Sequence, residues 1–385
     1  MAIDGRERFR GCLLGGAVGD ALGAPVEFHT REQVLAQFGR EGITSYAPAY
    51  GGLGRITDDT QMTLFTAEGL LRYRVRGCLK GVSTYSGVTA NAYLRWLRTQ
   101  GEVPAHDIGV GAPFGEGEPG WLYEQSQLHS RRAPGNTCVS ALRQMRGLGE
   151  PASNASKGCG GVMRMAPVGL FVARLPNGTM RQAFEIGSEL AALTHGHPSG
   201  SLSAGMLAAL VYQLAQGITL AEALLAAKHV LAEFRDHDET LRAVESAEAA
   251  THRDAPRCDA VAKLGQGWVA DEALAIGVYC ALVAESFSDG IILAVNHDGD
   301  SDSTGSIAGN LLGAMVGVRA ISSQWLEPLE LADVIGQIAD DLYDYPQWQL
   351  SEYSTDDEFQ RISRKYPGIE TASTAVTDGS MRRGR

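Results

Sequence analysis

Two short acidic runs carry most of the chemical potential of this sequence. The first is Ile56-Thr57-Asp58-Asp59-Thr60-Gln61, and the second is Asp298-Gly299-Asp300-Ser301-Asp302-Ser303. Asp58, Asp59, Asp300 and Asp302, with the hydroxyls of Thr57 and Ser303, are hard oxygen donors of the kind that suits Mg²⁺ or Mn²⁺. Four carboxylates gathered without cations repel one another, and two divalent ions would balance them. A two-cation centre orients a substrate, polarises an oxygen and activates water. Each run also has a plainer reading. Thr57 suits the N-cap of a helix through Met62, Phe65 and Leu70, with Asp58 and Asp59 in its first turn, where the helix dipole favours anions. Ser303 or Thr304 would cap a second helix through Ile307, Leu311 and Met315. Three aspartates in the second run exceed what a cap requires. A calcium loop is a rival, but no Glu stands at the twelfth position from Asp298 or Asp300. Asp298 is the weakest of the three as a ligand. Spacing alone does not bring the two runs together.

The elements that must position these residues read as helices. Helical spacing of Ala and Leu dominates residues 183–216 and 220–235, and residues 268–286 and 304–320 follow the same pattern. Strand-like alternation is scarce, so the expected fold class is all-α and compact. Gly11, Gly15, Gly19 and Gly23 fall every four residues, as do Gly305, Gly309, Gly313 and Gly317. On a helix each set shares one face. Glycine costs about 1 kcal/mol against alanine there, which points to close backbone approach in a crowded core. Each set lies beside an acidic motif. Residues 101–120, rich in Gly and Pro, read as a long surface loop, and 249–262 as another connection. One domain is expected over 1–368, followed by a small, polar, disordered tail over 369–385.

Apolar residues make up 44% of the 385-residue chain, enough for a large core, and the formal net charge is −12. That charge repels polyanions, and no basic patch offsets it, so no stable nucleic-acid binding is expected. No stretch approaches the roughly 18 uncharged apolar residues of a membrane helix. The charged start, Met1-Ala2-Ile3-Asp4-Gly5-Arg6, does not read as a signal peptide. The six cysteines form no CxxC pair and no disulfide pattern, which suggests the cytoplasm.

Five segments, taken in order, are together specific. They are Arg10-Gly11-Cys12-Leu13-Leu14-Gly15 with Gly19-Asp20-Ala21-Leu22-Gly23; Thr57-Asp58-Asp59-Thr60; Lys157-Gly158-Cys159-Gly160-Gly161-Val162-Met163-Arg164; Thr194-His195-Gly196-His197-Pro198; and Gly299-Asp300-Ser301-Asp302-Ser303 followed by Ile307-Ala308-Gly309. With these, the chain resembles the ADP-ribosylglycohydrolase family from about residue 8 to residue 345. The resemblance implies a compact, orthogonal multi-helix fold around two Mg²⁺ or Mn²⁺ ions. It implies hydrolysis of the bond between C1″ of ADP-ribose and an acceptor, so the expected partner is an ADP-ribosylated protein or a small ADP-ribosyl molecule. It implies Thr57, Asp58, Asp59, Asp300, Asp302 and Ser303 as metal ligands; the last is often Thr in the family, and Ser keeps the hydroxyl.

By the same resemblance Glu27 lies close to the metals and helps to position or activate water, with a water beside Asp302 as the competing arrangement. Gly158, Cys159, Gly160, Gly161, Val162 and Met163 belong to the loop that contacts ADP-ribose, and His195 lies near the substrate. From the residue types alone, Glu27 reads as a surface glutamate, the glycine segment as a tight turn without a P-loop or dinucleotide fingerprint, and Met163 as core. Arg164 reads as a structural ion-pair partner, His197 as a hydrogen-bonded structural histidine and Trp268 as core. A catalytically silent ADP-ribose-binding relative and a phosphoester hydrolase are the alternatives. The first would show a lost Asp or Glu27, and the second bridging His ligands. Arginine is the first acceptor to consider, by family analogy; serine, a nucleic-acid base or a metabolite stay open.

Overall fold

The computed structural model describes residues 3–106, 119–252 and 254–368. Among these, seventeen α-helices and four short 3-10 turns make up the regular structure. The extended pairing consists of two isolated bridges, Ala49 with Gly52 and Gly158 with Val269. The fold class is all-α. The buried apolar side chains form one connected cluster reaching from Phe9 to Tyr366. No helix among the described residues is long and apolar enough to cross a membrane. The tail 369–385 and most of the expected 101–120 loop lie outside the described residues.

The two glycine-bearing helices meet. Helix Gly5–Gly23 lies antiparallel along helix Ser301–Val316. A Cβ on Gly11 would fall 2.3 Å from the Gly313 carbonyl oxygen; on Gly15, 2.5 Å from that of Gly309; on Gly19, 1.9 Å from that of Gly305; on Gly23, 2.3 Å from that of Ser301. The fit is mutual, since a Cβ on Gly309 would lie 2.1 Å from the Gly15 oxygen and one on Gly313 1.9 Å from the Gly11 oxygen. Only backbone without side chains packs this closely. Gly317, the fourth glycine of the second set, also packs on the first helix, its carbonyl carbon 2.8 Å from a Cβ on Gly11, but it does so from outside its own helix. It stands just past the helix end at φ 75°, a backbone state in which glycine is favoured, and Ser301 takes the fourth place through its backbone.

The other expected helices form with breaks where the chain chemistry demands them. The stretch 183–216 divides into Met180–Ala192 and Pro198–Ala215. Pro198 opens the second because its missing N–H is not needed at a helix start. His197 caps it, its Nδ1 accepting from the Ser199 N–H, which agrees with a structural histidine. Most of 249–262, expected as a connection, is helical: Asp238–Ala250 ends within it and Arg257–Leu264 begins after Pro256.

If backbone contact is the purpose of the glycines, Gly19→Ala will destabilise the fold by about 1–3 kcal/mol or more, since neither helix can retreat. Gly77→Ala is the control. It lies within helix Asp58–Lys80 with nothing within 4 Å of a new Cβ, so it should be neutral or stabilising by up to about 1 kcal/mol. Urea denaturation of both variants reads the difference. Equal effects would remove the close-packing argument.

Candidate active site

Helix Asp58–Lys80 starts as expected, with the Thr57 hydroxyl accepting from the Asp59 N–H. Asp58 and Asp59 occupy its first turn and are buried. Helix Ser301–Val316 is capped differently from the expectation. Asp300, not Ser303 or Thr304, is the N-cap, and its carboxylate accepts from the Ser303 N–H at 3.3 Å. Gly299 at φ 116° makes the turn that aims Asp300 back over the helix start. Asp302 also accepts from the Ser303 N–H, at 3.0 Å.

One bond joins the two runs: the Ser303 hydroxyl donates to Asp59 Oδ2 at 3.3 Å, across 244 residues of sequence. Glu27, in the turn just after helix Gly5–Gly23, completes the group. It is buried rather than at the surface, with 7% exposure. One ligand oxygen each from Glu27, Asp300 and Asp302 lies within 4.8 Å of the others. Asp298 stays outside. It is exposed, and its carboxylate accepts from the Arg31 N–H.

The electrostatics of this group are costly. Burial, then the charges of Asp300, Asp58 and Asp20, raises the Glu27 carboxyl to about 9. Burial is also the first cause at Asp58, raised to about 8, and at Asp59 and Asp302, both held well above the ordinary carboxylate range. The hydrogen bonds they receive come from backbone N–H groups and the Ser303 hydroxyl. Glu27 Oε2 and Asp59 Oδ1 are buried without a partner among the described residues. Buried carboxylate oxygens left unpaired are unfavourable unless something positive meets them. Hard oxygen donors in this arrangement fit a divalent cation of the Mg²⁺ or Mn²⁺ type.

The glycine segment borders the same group. Cys159–Gly161 forms a 3-10 turn, and the Cys159 thiol donates to Asp300 Oδ2 at 2.7 Å. Val162 and Met163 are buried, with the Met163 sulfur 3.8 Å from the Ser303 hydroxyl. His195 lies under the turn; Cβ atoms on Gly158 and Gly160 would come within 3.4 Å and 3.2 Å of its ring. Its Nδ1 bonds the Thr194 hydroxyl at 2.8 Å. Burial and the nearby Arg164 lower its pKa to about 3, so the imidazole is neutral. Contrary to the expectation, Arg164 has no ion-pair partner among the described residues. It is fully buried over the Tyr93 ring and donates to the Tyr93 hydroxyl, the Gly160 carbonyl and the Thr194 hydroxyl. It props the turn from below. Trp268 is not core either: it is 39% exposed and stacks on Phe28.

Residue patterns missed the supports behind the first acidic run. Asp20 is fully buried on helix Gly5–Gly23. Its carboxylate accepts from the N–H groups of Thr57 and Thr60 and from the Thr60 hydroxyl at 2.5 Å. Glu330 accepts from the Ile56 N–H and pairs with Arg55 and with buried Arg132. Arg132 donates to the Ile56 carbonyl, while its own carbonyl accepts from the Asp58 N–H. Asp20 had a signal, a carboxylate in the middle of an apolar helix, which must find donors if buried. Arg132 and Glu330 had none.

Similarity to known proteins agrees with this geometry. A family model described as ADP-ribosylglycohydrolase matches residues 1–351. The chain belongs to the ADP-ribosylglycohydrolase family. It is 27% identical over 333 residues to the ADP-ribosyl-[dinitrogen reductase] glycohydrolase of Rhodospirillum rubrum, covering 84% of this chain and 91% of that protein. It is 26% identical over 339 residues to the ADP-ribosylarginine hydrolase Tri1 of Pseudomonas putida (strain GB-1), covering 88% and 78%. A solved structure described as an ADP-ribosylglycohydrolase-related protein complex superposes with a TM-score of 0.61 at 26% identity, covering 89% of this chain and 98% of that one.

The raised carboxyls make stability depend on pH. A carboxyl whose pKa is higher folded than unfolded binds its proton more tightly in the folded state. Its penalty is absent below the unfolded value and complete above the folded one. For Glu27 and Asp58 that window runs from about 4 to about 9. In chelator, the melting temperature should therefore fall more steeply from pH 6 to pH 8 in the wild type than in Asp58→Asn, and Mg²⁺ should restore more at pH 8. Parallel slopes for the two proteins would contradict this. Separately, Asp20→Asn should keep the helical circular dichroism while weakening Mg²⁺ binding about 10- to 100-fold by calorimetry, as loss of an outer support does.

Proposed function

We propose that this chain hydrolyses the bond between C1″ of ADP-ribose and an acceptor, with two Mg²⁺ or Mn²⁺ ions, and that ADP-ribosyl-arginine on proteins is its first substrate. The observation that carries the reading is the Ser303–Asp59 hydrogen bond, which makes one buried centre of two distant acidic runs. Family membership and the name of the Tri1 relative support the chemistry and the acceptor. Thr57, Asp58, Asp59, Asp300, Asp302 and Ser303 would hold the cations. Such ions neutralise the carboxylates, orient the substrate and lower the pKa of water.

The remaining work belongs to the chain. The 158–163 turn and His195 would seat ADP-ribose beside Asp300, to which Cys159 already ties the turn. Glu27, its second oxygen unpartnered, would accept a proton from water as the water oxygen bonds to C1″. The C1″–N bond breaks, and its electron pair goes to the guanidine nitrogen. The substrate guanidinium already carries a proton, so it leaves as neutral guanidine and needs little help from an acid. A water beside Asp302 is the competing starting point for the attack. The charge that builds on the ribose resembles that of other glycoside cleavages.

The test is ADP-ribose release from peptides carrying ADP-ribosyl-arginine or ADP-ribosyl-serine, with Mg²⁺, Mn²⁺ or chelator. Metal-dependent release from the arginine peptide is expected. Tight ADP-ribose binding with no release from either would favour the silent-binder reading. Asp302→Asn should weaken metal binding and lower turnover at least about 100-fold, and Glu27→Gln should lower turnover about 10²- to 10⁴-fold with ADP-ribose binding kept. Equal loss of binding and turnover in Glu27→Gln would make that residue structural.

A further inference from the structure

Burying an aromatic ring is favourable, so an exposed one asks for a reason. Phe28 is 71% exposed and Trp268 39%, yet their rings stack on each other, centroids 5.8 Å apart and 18° from parallel. Their anchors place them at the site. Phe28 follows Glu27 directly. Trp268 follows Gly267, where a Cβ would lie 3.4 Å from Asp300 Cβ, and the Trp268 carbonyl accepts from the Cys159 N–H at 3.2 Å. The pair therefore stands where the Glu27 turn, the second acidic run and the glycine turn converge.

A third exposed ring is held at a conformational cost. Ala49 and Gly52 exchange both backbone hydrogen bonds around Tyr50-Gly51, closing a two-residue turn. Tyr50 sits in it at φ 49°, a state that bulky residues rarely adopt. Strain of this kind persists at functional positions. The Tyr50 ring is 40% exposed, and the charges of Glu27, Asp302, Asp20 and Asp58, after burial, push its hydroxyl pKa up, so it lies within their field.

Aromatic faces beside a dense set of carboxylates complement a planar cation, which gains from both the ring quadrupole and the negative field. We propose that Phe28, Trp268 and Tyr50 form the acceptor subsite, that they receive the guanidinium of the modified arginine, and that they determine acceptor specificity. This rests on the arginine reading above. The diphosphate half of the substrate, an anion, is poorly matched to these faces.

The subsite is tested by binding in the Glu27→Gln background, so that turnover does not enter. Dissociation constants are measured by calorimetry for an ADP-ribosyl-arginine peptide and for ADP-ribose alone. Trp268→Ala and Phe28→Ala should each weaken the peptide about 3- to 30-fold, the range of a cation–π contact, and leave ADP-ribose within twofold. Trp268→Phe should restore most of the peptide affinity. In the otherwise wild-type enzyme the same substitutions should raise KM for the arginine peptide more than they lower kcat. Equal weakening of both ligands would overturn the proposal and make the rings a nucleotide platform. Unchanged affinity for both would overturn it as well. Absence of hydrolysis by the wild type would sink the proposed reaction instead, while the ratio of the two affinities still judges the subsite.

Discussion

Two helices can approach until their backbones touch only where neither carries a side chain. Helices Gly5–Gly23 and Ser301–Val316 do so over four successive steps, and the rest of the site hangs from that contact. The last step sets Gly23 against Ser301, so the turn carrying Glu27 leaves the first helix beside Asp300 and Asp302. From the same helix Asp20 reaches the first acidic run and fixes the N–H groups of Thr57 and Thr60. One rigid pair of elements thus holds both halves of the carboxylate cluster. A single added methyl group would spread them.

That rigidity confines negative charge. Backbone N–H groups, a hydroxyl and a thiol already orient the aspartates, which leaves little freedom to move apart and relieve repulsion. The strain appears as carboxyls raised to about 8 and 9 at Asp58 and Glu27. A preorganised cluster of this kind exchanges stability of the empty protein for affinity toward cations, since binding removes the repulsion. The outer ion pairs act in the opposite sense. Glu330 with Arg55 and Arg132, one carboxylate against two guanidinium groups, is net positive and clamps the chain entering Thr57 without adding to the negative charge at the centre.

Much of this was legible in the residues because the signals were local. Glycine at every fourth position names a helix face, and the Thr-Asp-Asp run names a cap and a first turn; both formed as read except at Gly317, which lies past its helix end. The capping of the second run was misread because Asp300 and Ser303 are both good caps, and the choice is made by the positive φ of Gly299, which spacing does not show. Arg132 and Glu330 left no trace because their roles arise only when segments 198 residues apart are brought together. Trp268 was read as core from its type, whereas its exposure is a property of the assembled rim. Arg164 was assigned a carboxylate partner by habit of charge, and the fold satisfies it with carbonyl, hydroxyls and a ring.

The antiparallel pairing of Gly5–Gly23 with Ser301–Val316 also bears on the order of events during synthesis. The first helix is made before its partner and carries Asp20 while the N–H groups it will meet are not yet made. Its partner follows almost 300 residues later. At the usual pace of translation that is a wait of roughly 15–60 s. Until then Glu27 has no Asp300 or Asp302 beside it, and the carboxylate cluster is not assembled. Contacts of such sequence separation close slowly. The fold thereby makes the carboxylate cluster a late product of synthesis, assembled only once the segment of helix Ser301–Val316 is available.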